Sequence, residues 1–228
     1  MAKGSLSPRQ KMINLMYLVF IAMLALNMSK EVLSAFGLLN ERLTESNTAT
    51  VARNSAFMES LSVKASDNPD RYADVNDKAK QINKLSSEFS NYLEGIKTEM
   101  MKTVPADDQQ NYEVQDKADF LDQSFFQGDK LSLQGQEFVQ NINDYRSGML
   151  AIINGDYPDI STDIEKKFST AEVTRNQDGK KVDWLKYHFE GFPLIASRTK
   201  ITQMQADVNT IENDILSVML EGEQASAL

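Results

Sequence analysis

The feature that most constrains this chain is a run of 18 uncharged residues, 12–29, bracketed by Lys11 and Lys30. An α-helix rises about 1.5 Å per residue, so this run would measure about 27 Å, close to the hydrocarbon thickness of a bilayer. We therefore predict a single membrane-spanning helix over residues 12–29.

The residues before this run have the pattern of a helix N-terminus. Ser7 is suited to cap the first turn, Pro8 to occupy its first position, and Gln10 to act as the partner in a capping box. The competing interpretation is a cleaved signal peptide, because a basic segment followed by a short apolar core is also that pattern. No small-residue cleavage site is well placed after the apolar core, and apolar residues continue at helical spacing beyond it: Val32, Phe36, Leu39 and Leu43. We therefore favour an uncleaved anchor.

Charge is distributed very unequally along the chain. Residues 1–30 carry four bases and no acid, whereas the remainder carries all 33 acids against 20 bases. Because basic residues stay on the cytoplasmic side of a span, residues 1–11 are predicted to be cytoplasmic and residues 30–220 periplasmic or extracellular. So acidic a surface repels phosphate backbones, which disfavours nucleic acid as a partner.

Beyond the predicted span, the sequence indicates an all-α fold, an antiparallel bundle of about four helices. The first helix should continue to about Lys64, the second should cover residues 71–102, and the third should end at Asn154-Gly155. Each has apolar residues at heptad or helical spacing. The last helix has the cleanest pattern, because two positions of its heptad are apolar in each repeat. The first position is occupied by Ile201, Val208 and Ile215, and the second by Met204, Ile211 and Val218.

The segments between these helices have weaker patterns. Residues 105–129 are predicted to form a polar loop, pinned to the bundle by its apolar residues: Phe120, Leu121, Phe125 and Phe126. Residues 157–193 are irregular, with a possible short hairpin near 170–182 around Asn176–Gly179. Residues 221–228 resemble a linker, so we expect the natural protein to continue into further domains.

Little in the sequence points to catalysis. There is no cysteine, and the single histidine, His188, lies between Tyr187 and Phe189, a setting more typical of packing than of catalysis. Phosphate-binding glycine loops and hydrolase motifs are missing from the sequence. We therefore expect no enzyme activity, no cofactor and no metal site.

The informative residues are polar groups in and beside the predicted span. Asn14 and Tyr17 are three residues apart and share a helix face, and Arg9 lies about two turns below Tyr17. Lys11 lies between Arg9 and Asn14 in the sequence. They could contact a partner or carry coupling charge, but they could equally be ordinary interfacial residues. On the opposite side, small residues would allow another helix to approach closely: Ala22, Ala25 and Ser29.

The stretch SPRQKMINLMYLVFIAMLALNMSKEVLSAFGLLN, residues 7–40, resembles the N-terminus of the GldM (PorM) family of gliding motility and type IX secretion. Looser similarity covers WLKYHFEGFPL, residues 184–194, and TKITQMQADV, residues 199–208. The resemblance implies a bacterial inner-membrane protein with a helical first periplasmic domain, followed in the family by β-rich domains that reach other envelope components. It also implies that two copies lie within a ring of five GldL-like subunits, each with two spans, and that proton flow moves the pair.

A proton-driven motor needs an ionisable group in the bilayer, yet residues 12–29 contain no Asp, Glu or His. The titrating acid should therefore belong to the partner. By resemblance it is a glutamate of the GldL-like protein, and Arg9 is the natural cation to pair with it. Two other functions remain open from the sequence, a single-pass sensor with a ligand-binding helical bundle and a passive structural tether.

Overall fold

The computed structural model describes residues 7–225, with side chains over residues 7–21 and 30–221. Across these residues the chain is mostly helical, with seven α-helices and two short hairpins. The helices are α1 Pro8–Asp67, α2 Pro69–Lys102, α3 Asp119–Phe125, α4 Leu133–Ile153, α5 Pro158–Lys167, α6 Trp184–Phe189 and α7 Leu194–Ala225. The strands are β1 Phe126–Gln127 with β2 Lys130–Leu131, and β3 Val173–Thr174 with β4 Lys181–Val182, both pairs antiparallel.

Helix α1 is a continuous helix of 60 residues, about 90 Å long at 1.5 Å per residue. Its start confirms Ser7 as the cap and Pro8 in the first turn, because the Ser7 hydroxyl accepts a hydrogen bond from the main-chain amide of Gln10 at 3.3 Å. It ends at Asp67 with Asn68 as its cap, and Pro69 then begins α2. The chain thus leaves the N-terminal segment on one uninterrupted helix that becomes part of the bundle.

The apolar stripes of α2 and α4 form the core, as predicted. Ala79, Ile82 and Leu93 of α2 and Phe138 and Ile142 of α4 are fully buried. Aromatic rings join these stripes to the later helices: Phe89 stacks on Tyr145 at 4.9 Å, Tyr145 meets Phe168 at 4.8 Å, and Phe138 meets Phe189 at 5.6 Å between centroids. Helix α4 ends as expected, with Asn154 in the left-handed region at φ 45° and Gly155 at φ 79°.

Two segments predicted as loop or irregular contain secondary structure. Residues 105–129 include two 3-10 turns, Ala106–Asp108 and Tyr112–Val114, and helix α3. The β3–β4 hairpin confirms the hairpin prediction, but α5 and α6 on either side of it were not predicted. These helices span ten and six residues, too few for an apolar period to repeat often enough to stand out.

Helix α1 packs through only part of the apolar stripe predicted for it. Val32 and Leu39 are 52% and 49% exposed, whereas Phe36 and Leu43 are half-buried. The packed face also carries buried polar residues: Asn40, Thr50 and Asn54. In α7 the prediction for Val218 was also wrong, because it is 37% exposed while Leu216 and Met219 are buried. Both helices pack mainly against each other, and their shared face is partly polar.

The bundle is not antiparallel throughout. Helices α1 and α2, α2 and α4, and α2 and α7 run antiparallel, but α1 and α7, the most extensively packed pair, run parallel. After α4 the chain returns through α5, which lies antiparallel to α7 with Lys167 2.9 Å from Asp207. This extra return brings the chain back to the N-terminal end of the bundle before α7 begins.

Candidate functional site

The polar residues of the N-terminal segment lie on the exposed surface of α1. Arg9, Lys11 and Asn14 are exposed, and Tyr17 is 68% exposed. None of these four side chains has a hydrogen-bond or ion-pair partner among the residues that the structure describes. Asn14 and Tyr17 share one side of the helix, Lys11 lies nearly opposite Arg9, and Arg9 and Tyr17 are eight residues, or about 12 Å, apart along the axis.

The apolar residues around them are equally uncovered. Residues 12–21 include Phe20, 62% exposed, and Leu18, 66% exposed. None of the helices, over the residues that the structure describes, is both long and apolar enough to cross a membrane. The side chains of residues 22–29, which complete the predicted span and include Ala22, Ala25 and Ser29, lie outside those residues.

Immediately beyond residue 29, α1 is held by a connection that the sequence did not reveal. We call residues 112–117 the clasp. The carboxylate of the clasp residue Glu113 forms an ion pair with the ammonium of Lys30 in α1, at 3.2 Å. The hydroxyl of Tyr112 donates a hydrogen bond to the Glu41 carboxylate. Partial burial, together with this hydrogen bond, raises the pKa of Tyr112 above its ordinary value.

The Tyr112 ring lies directly on Gly37. A Cβ atom added at Gly37 would lie 2.0 Å from Cδ2 of the ring, so no larger residue fits without moving the ring. The glycine therefore allows the clasp to approach the backbone of α1. The signal in the sequence was a single glycine within a long helix, which by itself does not identify its partner.

The clasp also holds the first turn of α7. The amide of Leu194 donates to the Lys117 carbonyl at 2.9 Å, and that of Ile195 donates to the Gln115 carbonyl at 3.2 Å. These bonds satisfy two amides that a helix N-terminus otherwise leaves unpaired. Because Gln115 is only 1% exposed and its amide group donates to the Gln109 carbonyl at 3.0 Å, the clasp is itself anchored in the fold.

Above the clasp, α1 and α7 are joined by a polar seam. Asn47 donates to the Thr202 carbonyl at 3.2 Å, and Asn54 donates to the Asn209 carbonyl at 3.0 Å. Each partner lies seven residues further along its own helix, so the two helices are parallel and in register. One heptad earlier, Asn40 accepts from the Thr202 hydroxyl at 2.8 Å. Buried polar pairs of this kind fix the register between helices, because any shift leaves them without partners.

A second set of polar contacts joins α7 to α2. The Lys97 ammonium contacts Glu94 at 2.7 Å and the Gln205 side chain at 2.8 Å. Burial of Glu94 works to raise its pKa, but hydrogen bonds from Lys97 and Gln205 outweigh it, so the pKa is lowered. These contacts fix α7 to α2 at a level between the two asparagine bonds to α1.

Glu212 is a buried carboxylate in this part of the structure. It is 4% exposed, it accepts a hydrogen bond from Asn83 at 2.7 Å, and no described residue forms an ion pair with it. Burial raises its pKa, and the hydrogen bonds from Asn83 and Asn54 offset only part of that shift.

The seven-residue spacing of Asn40, Asn47 and Asn54 is visible in the sequence and could have indicated the polar face of α1 that forms the seam.

The fold and these contacts define a class of protein in which one long N-terminal helix enters a helical bundle. Hydrogen bonds join that helix to a second, parallel helix, with which the bundle ends. The family model of the GldM N-terminal domain matches residues 31–222. The chain belongs to the GldM family, the family of gliding motility and type IX secretion, as its resemblance predicted. The search of curated proteins returned no match.

Proposed function

We propose that this chain is a motor subunit of the bacterial inner membrane that uses the proton motive force to drive type IX protein secretion and gliding. In this proposal residues 12–29 span the membrane, residues 1–11 are cytoplasmic and residues 30–220 form a periplasmic domain. Residues 221–228 are then a linker. The observation that best supports the proposal is the continuity of α1, which runs without a break from the apolar segment to the far end of the bundle.

A continuous helix transmits rotation or translation only if the domain cannot slip on it. The clasp and the polar seam supply that connection, because both join α1 to α7 by hydrogen bonds whose partners would be lost on sliding. Movement of the N-terminal segment would therefore carry α7 with it, and α7 would pass that movement toward other envelope components of the secretion system.

We propose that the partner acts through four exposed residues of this segment: Arg9, Lys11, Asn14 and Tyr17. The partner is a GldL-like protein with two spans, in five copies around two copies of this chain. Arg9 would pair with a partner glutamate and lower its pKa when close, so that the acid releases its proton. Tyr17 would donate a hydrogen bond deeper along the same path. Ala22, Ala25 and Ser29 would allow a neighbouring helix to approach closely.

The proposal is tested by co-expressing the chain with a GldL-like protein and counting the copies of each in the purified complex by native mass spectrometry. Secretion should stop when an ionophore collapses the proton gradient although the complex stays assembled. Secretion that continues without the gradient would instead identify the chain as a passive tether.

A further inference from the structure

A basic cleft lies on the side of the domain, beside the first turns of α7. It is a space of about 490 Å³ between the β3–β4 hairpin, α6 and the start of α7. Three of its lining residues are cations, Arg175, Lys186 and Lys200, and one, Glu190, is a carboxylate. The excess of basic over acidic residues in the cleft is the reverse of the balance in the whole chain, which carries 33 acids and 24 bases.

Lys200 is the central cation of this cleft. Its ammonium donates to the main-chain carbonyl of His188 and lies 3.4 Å from the centroid of the Phe192 ring. No carboxylate lies within ion-pair distance of it among the residues that the structure describes. Burial lowers the pKa of Lys200 to about 8, because the ammonium is partly removed from water.

The other two cations are paired only weakly. Lys186 lies 3.8 Å from Asp129, whose side chain is fully exposed, and Arg175 lies 3.8 Å from Asp178 in the hairpin turn. In each pair at least one of the two side chains is well exposed to water, and at 3.8 Å such pairs contribute little, so both cations can take a better partner. The cleft also carries the side-chain amides of Asn176 and Gln177, which can donate hydrogen bonds to carboxylate oxygens.

We propose that this cleft binds an acidic segment of a protein partner, whose carboxylates pair with Lys200, Lys186 and Arg175. The volume accommodates several side chains rather than one small anion. A desolvated ammonium that lacks a counter-ion gains most from a charge-assisted hydrogen bond, so Lys200 is the residue on which binding should depend most. The cleft can bind such a segment whether or not the chain works as a motor subunit.

The height of the cleft argues against a lipid headgroup as the ligand. Lys200 precedes by two residues Thr202, which contacts Asn40 and Asn47 of α1, and therefore lies level with about residue 41. In the topology proposed above, in which the span ends at residue 29, twelve further residues of helix correspond to about 18 Å. The headgroup layer extends only about 5 to 8 Å beyond the hydrocarbon core, so lipid phosphates would not reach the cleft.

The test measures binding of a fluorescein-labelled ten-residue glutamate peptide to the full chain by fluorescence anisotropy at low ionic strength. Lys200→Gln should weaken binding about tenfold. The matched control is Lys84→Gln, which removes the same charge from an exposed position of α2, where Lys84 lies 3.9 Å from Glu88. Glu190→Gln, which removes the one carboxylate of the cleft, should strengthen binding.

Arg175→Gln in the exposed hairpin keeps the test valid if Lys200→Gln fails to fold, and it should also weaken binding. Equal affinities of Lys84→Gln and the cleft variants would overturn the proposal, because they would show that only net charge matters. Binding to a lysine peptide in preference to the glutamate peptide would overturn it as well. So would binding to phosphatidylglycerol vesicles that depends on Lys200.

Discussion

The side-chain amide of Asn54 on α1 donates to the main-chain carbonyl of Asn209 on α7 at 3.0 Å, one heptad above the equivalent bond from Asn47 to Thr202. The same Asn54 accepts a hydrogen bond from Asn213 at 2.8 Å. One buried residue of α1 thus contacts two successive turns of α7. This contact sets the register of the parallel pair and makes the two helices behave as one element.

Asn54→Ala should lower the free energy of unfolding by about 1 to 3 kcal/mol, because the buried Glu212 carboxylate loses one hydrogen bond and the half-buried Asn213 amide loses its partner. Chemical denaturation of the purified chain measures this directly. Asn91→Ala, an exposed asparagine of α2, is the control and should change stability by less than about 0.5 kcal/mol. Equal effects of the two substitutions would mean that the seam does not hold the helices together.

Gly37→Ala should destabilise the domain by about 1 to 3 kcal/mol, because its Cβ would collide with the Tyr112 ring. Gly95→Ala is the matched control in α2, where an added Cβ meets nothing within 4 Å. There alanine should stabilise the helix by about 0.5 to 1 kcal/mol through its higher helix propensity.

A double-mutant cycle assigns the Gly37 effect to the clasp. In a Tyr112→Ala background, Gly37→Ala should cost much less than in the native chain, since the ring is gone. An unchanged cost in that background would show that the glycine has another role.

Glu212→Gln should change the dependence of stability on pH. Burial raises the pKa of Glu212 above its ordinary 4.5, so the native state favours the protonated form. The native chain therefore loses stability relative to the variant as pH rises from below about 4.5 through the raised pKa. Denaturation at a series of pH values measures the free energy of unfolding of both proteins. With rising pH, that of the variant should increase relative to that of the native chain. The control is Glu59→Gln, at an exposed position of α1, and the same trend in that variant would contradict a specific role for burial.

Arg9→Ala should abolish secretion and gliding while leaving the chain assembled with its GldL-like partner, because the proposed coupling cation is lost but the helix surface remains. Lys11→Ala removes the same charge two residues away and should have a smaller effect. The measurements are secretion of a reporter and co-purification of the partner. Normal secretion and gliding by Arg9→Ala would rule out the role proposed for Arg9.

Much of the fold could be predicted because it depends on local patterns. The apolar period of α2 and α4 placed Ile82, Leu93 and Phe138 in the core, and turn residues placed the end of α4 at Asn154. Shorter elements such as α5 and α6 were missed because too few residues repeat. The proposed site residues of the N-terminal segment were named from residue type, and their roles remain predictions.

The sequence by itself determined where the long helices begin and end, which faces of α2 and α4 are buried, and to which family the chain belongs. Capping, apolar period and turn preference act over a few residues, so they can be read along the chain. Only the tertiary structure decided that α1 and α7 run parallel, that Tyr112 packs on Gly37, and that Asn54 and Glu212 are buried. Those outcomes depend on which distant segments meet. A polar residue can be buried only where another segment supplies its hydrogen-bond partner, and the residue type alone does not show where that happens.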